Sequence, residues 1–211
     1  MVNCFIFEIA IKKNLMNINP HIWLAVCWII FGALHSVLAT DNIKDFIHTL
    51  MQRNFKFYRL SYSMIATTMI TYVLFLNFSI ESILLWKPTT PEKIASIITG
   101  VIGLSAMIIC IRKYFFDLSG VNVFSRKVSE NKLQVNGLNK YVRHPLYSAT
   151  VLFAWSFFFF QPLLSNLISC ICISLYTLVG IYFEEQKLIK TFGNDYKEYA
   201  AKVPMIIPGL L

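Results

Sequence analysis

The feature that most constrains this chain is a run of 38 residues, from Leu146 to Phe183, that contains no charged side chain. A helix needs about 20 residues to cross the hydrocarbon core of a bilayer, so the run is too long for one span. It is interrupted at Gln161-Pro162, and proline breaks the hydrogen-bond ladder of a helix. The sequence therefore predicts two membrane helices joined as a tight hairpin that turns at Gln161-Pro162.

Three further apolar segments approach the length of a span, at 21–39, 60–80 and 94–111. The composition agrees, because 56% of the residues are hydrophobic and only 14% are charged, against about 25% charged in a soluble domain. We therefore expect an all-α, polytopic membrane protein of one domain with about five transmembrane helices. The expected order is three spans in 1–111, a loop in 112–145, the hairpin in 146–192 and a tail in 193–211.

The 19 lysine and arginine side chains divide unequally between the two sides of this arrangement. Fifteen lie in the first interhelical loop, the loop at 112–145 and the part of the chain after Phe183, and four lie on the other side. Cytoplasmic loops carry an excess of basic residues. We therefore expect the tail and the long loop in the cytosol, and no nucleic-acid partner is needed to explain the net charge of +8.

Two other features limit the class of protein. The first lysines follow the N-terminal apolar residues rather than precede them, so we expect no cleavable signal peptide. The five cysteines lie in apolar stretches and form no C-x-x-C pair. We therefore expect small buried side chains at these positions, with neither a disulfide framework nor a metal site.

The first polar cluster that needs an explanation is Arg143-His144, directly before Pro145. Proline suits the first turn of a helix, where its missing N–H is not needed. Free backbone N–H groups at this helix start, together with a guanidinium, would suit a carboxylate or phosphate. The alternative is a basic anchor that reaches anionic lipid headgroups.

The second cluster is Glu184-Glu185, at the end of the fifth span. We expect the helix to continue to Phe192 and to end at Gly193, a favourable C-terminal cap residue. Paired carboxylates near a membrane boundary are costly unless they are solvated or matched, and they would suit an ammonium or sulfonium group. The alternative is a solvated helix end in which the acids pair with nearby lysines.

The predicted hairpin brings these two clusters together. Its two helices begin and end on the same side of the membrane, so Arg143-His144 and Glu184-Glu185 should face each other. A zwitterionic ligand with separated charges would fit between them. A simple salt bridge between arginine and glutamate is the structural alternative.

Several short motifs follow one another in the last third of the chain. They are Leu133-Gln-Val-Asn-Gly137, Tyr141-Val-Arg-His-Pro-Leu-Tyr147, Glu184-Glu-Gln-Lys-Leu188, Phe192-Gly-Asn-Asp-Tyr196 and Val203-Pro-Met-Ile-Ile-Pro208. This ordered set resembles the isoprenylcysteine carboxyl methyltransferase and phospholipid methyltransferase superfamily of integral membrane enzymes. The resemblance implies S-adenosylmethionine bound on the cytosolic side and an acceptor that arrives from the bilayer.

The same resemblance implies roles for individual residues. The implied lining of the cofactor pocket is Gln134, Gly137, Tyr141, Arg143, His144, Pro145, Tyr147 and Glu184. Glu184 and Glu185 are implied to lie at the reacting centre. Eukaryotic carboxyl methyltransferases carry an arginine about one turn before the paired acids, whereas residues 180–183 contain no cation here. A prenylcysteine carboxylate is therefore not the expected acceptor.

A further clue lies in the first span. The segment Phe31-Gly-Ala-Leu-His-Ser-Val-Leu-Ala39 looks like the start of NnrU-type membrane proteins and of the thiol S-methyltransferases related to them. Its His35 should lie level with the other two clusters, where an imidazole could orient or deprotonate an acceptor. The alternative is a structural hydrogen bond to Ser36, Tyr58 or a helix carbonyl. We interpret Tyr58-Arg59 as an interfacial anchor.

The sequence thus predicts an S-adenosylmethionine-dependent methyltransferase that acts on a lipophilic or small membrane-permeant acceptor, such as a small thiol. The short members of the implied superfamily favour the bacterial inner membrane as its location. One alternative is a non-catalytic membrane accessory protein of the NnrU kind. Another is a membrane reductase that uses NADPH, and the sequence does not indicate an oligomeric state.

Overall fold

A computed structural model describes residues 2–119 and 133–209, with side chains described for 19–40, 42–113 and 133–209. Within these ranges the secondary structure is helical, and the predicted all-α fold is confirmed. The helices are α1 (Val2–Ala39), α2 (Asp41–Met51), α3 (Tyr58–Ser79), α4 (Thr90–Ser119), α5 (Pro145–Phe160), α6 (Leu164–Phe192) and α7 (Asn194–Ala200). Short 3₁₀ turns at Gln52–Phe57 and Gly137–Lys140 precede α3 and α5.

Four stretches of the described chain are long and apolar enough to cross a membrane. They are Asn19–Ala39, Asn42–Ser79, Thr90–Lys113 and Leu164–Phe192. The helix α5 has 16 residues, or about 24 Å at about 1.5 Å per residue, which is shorter than a hydrocarbon core of about 30 Å. The polytopic membrane fold is confirmed, with α5 as a shorter fifth apolar helix that lies between Pro145 and Pro162, as the predicted hairpin requires.

The predicted hairpin is confirmed at its turn. The helix α5 ends at Phe160, and α6 begins at Leu164. The connection between α3 and α4 holds this turn, because the Leu85 N–H donates to the Pro162 carbonyl at 2.8 Å and the Leu164 N–H donates to the Ile83 carbonyl at 2.9 Å. We call this end of the helix bundle the turn end.

Buried polar side chains connect three helices at the turn end. The Trp28 indole of α1 donates to Ser169 Oγ of α6 at 2.8 Å, and Ser169 Oγ donates to Asn77 Oδ1 of α3 at 2.8 Å. The Asn77 amide donates to Asn166 Oδ1 at 2.9 Å, and the Asn166 amide donates to the Gln161 carbonyl at 2.8 Å. Because an unpaired polar group in a membrane is costly, this network fixes α1, α3 and α6 relative to one another.

The helix α4 packs closely against α5. At Gly103, an added Cβ would lie only 3.0 Å from the Phe153 backbone nitrogen and 3.2 Å from the Ala149 carbonyl oxygen. Small residues allow helices in membranes to approach in this way. The position of α5, and therefore of the Arg143-His144 segment before it, is set by this contact on one side and by α6 on the other.

The predicted end of the hairpin's second helix is also confirmed. The helix α6 continues to Phe192, and Gly193 follows with φ of +56°. This left-handed conformation favours glycine because a side chain there would be strained. The reversal at Gly193 directs α7 and the following tail back toward the start of α5.

Candidate functional site

The end of the bundle opposite the turn end contains the predicted site residues. Here the second half of α1, the start of α3, the start of α5 and the end of α6 surround a cavity of about 480 Å³, which we call the hairpin cavity. Its lining contains seven predicted residues, which are His35, Gln134, Arg143, His144, Pro145, Tyr147 and Glu184. Residues from positions 35 to 184 therefore meet around one space.

The other three predicted residues are not part of this lining. Gly137 begins the 3₁₀ turn before α5, with φ of +72°. Tyr141 is 65% exposed. Glu185 lies directly behind the cavity wall, in contact with Arg143 and His144.

The Arg143-His144 segment faces the acidic pair, as the hairpin model requires. Arg143 Nε lies 2.8 Å from Glu185 Oε1, although the N–H is not aligned for a hydrogen bond. Arg143 Nη1 donates to two backbone carbonyls after α7, those of Ala200 at 2.6 Å and Val203 at 3.2 Å. The guanidinium is thus bound by the protein itself, as in the salt-bridge alternative.

The backbone at the start of α5 is also occupied. The Arg143 N–H donates to the Pro204 carbonyl at 2.8 Å, and the His144 N–H donates to the Met205 carbonyl at 3.2 Å. The Ser148 hydroxyl donates to the Ile206 carbonyl at 2.8 Å. These two N–H groups are therefore not available to bind an anion. The segment that binds them, residues 199–206, is called the tail strap below.

Glu185 is the centre of a buried polar cluster. Its Oε1 accepts from His144 Nε2 at 3.2 Å and from the Tyr196 hydroxyl at 3.2 Å, in addition to its ion pair with Arg143. Burial, together with the negative charge of Glu185, raises the pKa of Tyr196. The phenol therefore keeps its proton and remains a donor to Glu185.

Glu184 has a different environment from its neighbour. Its side chain is 45% exposed, and Glu184 Oε2 lies 3.7 Å from His144 Nδ1. The Tyr147 hydroxyl also lies close to the Glu184 carboxylate. Glu184 is therefore the carboxylate that faces the hairpin cavity, whereas Glu185 holds the structure behind it.

His35 lies on the cavity wall beside a tyrosine that the sequence did not single out. The Tyr62 hydroxyl of α3 lies 2.8 Å from His35 Nε2 and 3.0 Å from Nδ1. The partner is thus not Tyr58, whose hydroxyl donates to the Leu38 carbonyl. The ring of Tyr176, from α6, lies 5.9 Å from the imidazole centroid. His35 is held by aromatic residues of two other helices.

Other lining residues were missed or assigned differently from the sequence. Arg59, interpreted as an interfacial anchor, lines the hairpin cavity, and so do Asn139 and Tyr199. The Tyr199 hydroxyl donates to the Asn139 carbonyl at 2.6 Å, which connects the tail strap to the turn before α5. Arg59 could have been found from its position, because it begins a span at the membrane level predicted for His35.

A second cavity of about 620 Å³ lies between α1 and α6, and we call it the α1–α6 cavity. Its lining comes from the end of α1 and Thr40, from residues 176–190 of α6 and from Tyr147 of α5. His35 and Tyr147 line both cavities. The site is therefore a pair of compartments with a histidine and a tyrosine at their junction.

Known proteins resemble this chain over most or part of its length. Methanethiol S-methyltransferase 1 of Bradyrhizobium diazoefficiens is 23% identical over 190 residues, which cover 85% of this chain and 64% of that protein. Protein-S-isoprenylcysteine O-methyltransferase of Schizosaccharomyces pombe is 34% identical over 90 residues, which cover 41% of this chain and 37% of that protein. The chain thus spans less than two thirds of the length of these relatives. No solved structure matches it.

The family model for the NnrU protein matches residues 23–208. The match includes the whole set of predicted site residues, from His35 to Glu185. This family match confirms the resemblance that the first span indicated. The methyltransferase relatives confirm the resemblance that the motifs in the last third of the chain indicated. This chain belongs to the NnrU protein family.

Proposed function

We propose that this protein is an S-adenosylmethionine-dependent methyltransferase whose acceptor is a small or lipophilic thiol. One observation carries the proposal: His35, the segment before α5 and Glu184 converge on one cavity of about 480 Å³. The names of the relatives, methanethiol S-methyltransferase and protein-S-isoprenylcysteine O-methyltransferase, support the reaction class. A thiol is favoured because the methanethiol enzyme matches 85% of this chain.

The lining of the hairpin cavity fits a methyl donor that carries both a positive and a negative charge. Its volume lies within the range of about 300–1,000 Å³ that is typical of small-molecule sites. The half-exposed Glu184 carboxylate would bind the cationic part of the donor, and Arg59 would bind its carboxylate. Gln134, His144 and Tyr147 would add polar contacts.

Arg143, Pro145 and Glu185 would act by shaping this cavity. Pro145 begins α5, while Arg143 and Glu185 hold the tail strap and α7 against it. Gly137 and Tyr141 lie beside the wall rather than on it, and we assign them to the loop that covers the donor. The proposal thus distinguishes residues that would contact the donor from residues that would maintain the shape of the cavity.

The reaction would take place at the junction of the two cavities. When bound, S-adenosylmethionine supplies a methyl group on a sulfonium, which leaves as a neutral thioether when the acceptor sulfur takes the methyl. His35 would accept the proton of the thiol, because it is the imidazole on the wall of both cavities. The Tyr62 hydroxyl would orient that ring, and the surrounding helices would exclude water and align the acceptor.

We further propose that the hairpin cavity faces the cytosol of a bacterial cell, from the inner membrane. Fifteen of the 19 basic residues lie in the two loops and in the chain after Phe183, which the positive-inside rule places in the cytosol. A cytosolic position also gives access to the soluble donor. Labelling of a cysteine introduced at Ser119 and at Glu81 in intact cells tests this orientation, and reagent access from outside at position 119 would contradict it.

Donor binding by the protein in lipid nanodiscs tests the proposed function directly. Replacing Glu184 by Gln keeps the shape and removes the charge, so we expect at least about a tenfold weaker S-adenosylmethionine affinity, as for a hydrogen bond to a charged group. The matched control is Glu198→Gln, because Glu198 is exposed on α7 and outside the cavity lining. Calorimetric titration of the wild type and both variants measures the effect.

Two results would contradict the proposal. A folded wild type that binds NADPH and not S-adenosylmethionine would favour the reductase alternative. A folded wild type that binds neither compound would favour a non-catalytic accessory protein. Equal donor affinity in the wild type and the Glu184→Gln variant would overturn the assignment of Glu184.

A further inference from the structure

We propose that the α1–α6 cavity holds the chain of the acceptor, and that this acceptor is a thiol with an apolar chain of several carbons rather than methanethiol alone. The inference rests on the proposed function and deepens it by naming the substrate class. It follows from three features of the structure: the volume of the cavity, its junction with the hairpin cavity and the absence of a side chain at Gly180.

The volume exceeds what methanethiol requires. Methanethiol contains only one carbon and one sulfur besides hydrogen, whereas the α1–α6 cavity measures about 620 Å³. Cavities of about 300–1,000 Å³ bind molecules of drug size. The hairpin cavity would already hold the donor, so the space between α1 and α6 is available for a second and larger molecule.

The shared wall places the reacting end of that molecule. His35 and Tyr147 line both cavities, so a sulfur atom beside His35 would lie at the junction. From there, Val37, Ala39 and Phe183 provide apolar surface for a chain. Burial of each further methylene is favourable, and this site would therefore discriminate among thiols by chain length.

The α1–α6 cavity extends to the last turns of α6, where this helix leaves the apolar region. Lys187 and Lys190 line it on the last turns of α6, and lysine side chains place their ammonium groups at the membrane–water boundary. An acceptor dissolved among lipid chains could thus enter along α6 with its chain still in an apolar environment. This entry fits an amphiphilic thiol better than a freely soluble one.

Gly180 keeps the cavity open. It lines the α1–α6 cavity but not the hairpin cavity. A Cβ added at Gly180 would meet only the Tyr147 hydroxyl, at 3.8 Å, which is an ordinary contact distance. A larger residue would therefore fit on the backbone and fill the cavity, and replacing a mid-helix glycine does not weaken the helix.

The experiment compares 1-alkanethiols of increasing length with the wild type, Gly180→Leu and Val179→Leu. Val179 is the matched control because it precedes Gly180 on α6, is 52% exposed and lies outside the lining of both cavities. For the wild type we expect kcat/KM to rise roughly fourfold per added methylene until the cavity is full. For Gly180→Leu we expect the optimum to move to shorter thiols, with at least about a tenfold loss for the longest.

A binding measurement without the donor gives a second readout. Tritium-labelled alkanethiols are titrated against each protein in nanodiscs under reducing conditions, so that partition into lipid is the same for all three. We expect the wild type and Val179→Leu to bind longer thiols more tightly, and Gly180→Leu to lose this dependence. S-adenosylmethionine affinity should be equal in all three proteins.

The outcomes separate this inference from the proposed function. If Gly180→Leu binds S-adenosylmethionine normally and keeps the wild-type dependence on chain length, the α1–α6 cavity is not the acceptor site. If the wild type has the same kcat/KM for methanethiol as for longer thiols, that result would also overturn the inference. Failure of the wild type to bind S-adenosylmethionine contradicts the proposed function instead.

Discussion

The two ends of this helix bundle use polar residues in opposite ways. At the turn end, Trp28, Asn77, Asn166 and Ser169 are buried and hydrogen-bond to one another. At the other end, polar side chains such as His35 line two cavities of about 480 and 620 Å³. Polar groups within a membrane are costly, so each set requires partners. The polar side chains at the turn end have their partners within the protein, whereas those at the opposite end leave space for a ligand.

Glu184 and Glu185 show the same contrast on a smaller scale. Glu185 is 21% exposed and contacts Arg143, His144 and Tyr196, whereas Glu184 is 45% exposed and faces the hairpin cavity. A motif of two acids thus combines a structural carboxylate with a ligand-facing one. Variants that affect binding, folding or both can test this division.

The largest effect is expected at His35. Replacing His35 by Ala removes the proposed general base, and we expect the rate of methyl transfer to fall by about 10²–10⁴-fold. Thermal stability and S-adenosylmethionine affinity should change little, because the ring lies at the junction rather than in the charged part of the hairpin cavity. Single-turnover rates with saturating donor measure this step, and an unchanged rate would assign His35 a structural role.

The next effect is expected at the tail strap. Arg143→Ala would leave Glu185 without its cation and free the carbonyls of Ala200 and Val203. Because both side chains are largely buried, we expect a loss of about 3 kcal/mol in the free energy of unfolding, together with faster proteolysis after Gly193.

Arg112→Ala is the control for this prediction, because Arg112 is exposed near the end of the span in α4. Denaturant titration in detergent measures stability, and limited trypsin digestion measures exposure of the tail strap. An Arg143→Ala protein as stable as the Arg112→Ala control, but unable to bind the donor, would show that Arg143 contacts the ligand instead.

The smallest effect is expected at the turn end. Asn77→Ala would remove the acceptor of the Ser169 hydroxyl and the donor to Asn166 Oδ1, at a cost of about 1–3 kcal/mol in unfolding free energy. Donor affinity at the opposite end should remain equal to that of the wild type. A stable Asn77→Ala protein with weakened donor binding would contradict the separation of the two ends.

Much of this arrangement was predictable because it depends on local signals. The apolar run from Leu146 to Phe183 determined the hairpin, Pro145 determined where α5 begins, and Gly193 determined where α6 ends. The predicted hairpin alone was enough to show that Arg143-His144 should face Glu184-Glu185. These features need only the length of a span and the backbone preferences of proline and glycine.

Other features required contacts between distant parts of the chain. The N–H groups of Arg143 and His144 pair with carbonyls about 60 residues later, and no local signal in the sequence indicates these pairs. Tyr62 meets His35 from another helix, and Gly180 faces a cavity whose other wall is α1. The sequence by itself determined the spans, their hairpin and the family to which the chain belongs. Only the tertiary structure decided that Glu184, and not Glu185, faces the cavity. The reason is that the folded tail brings its contacts to Glu185.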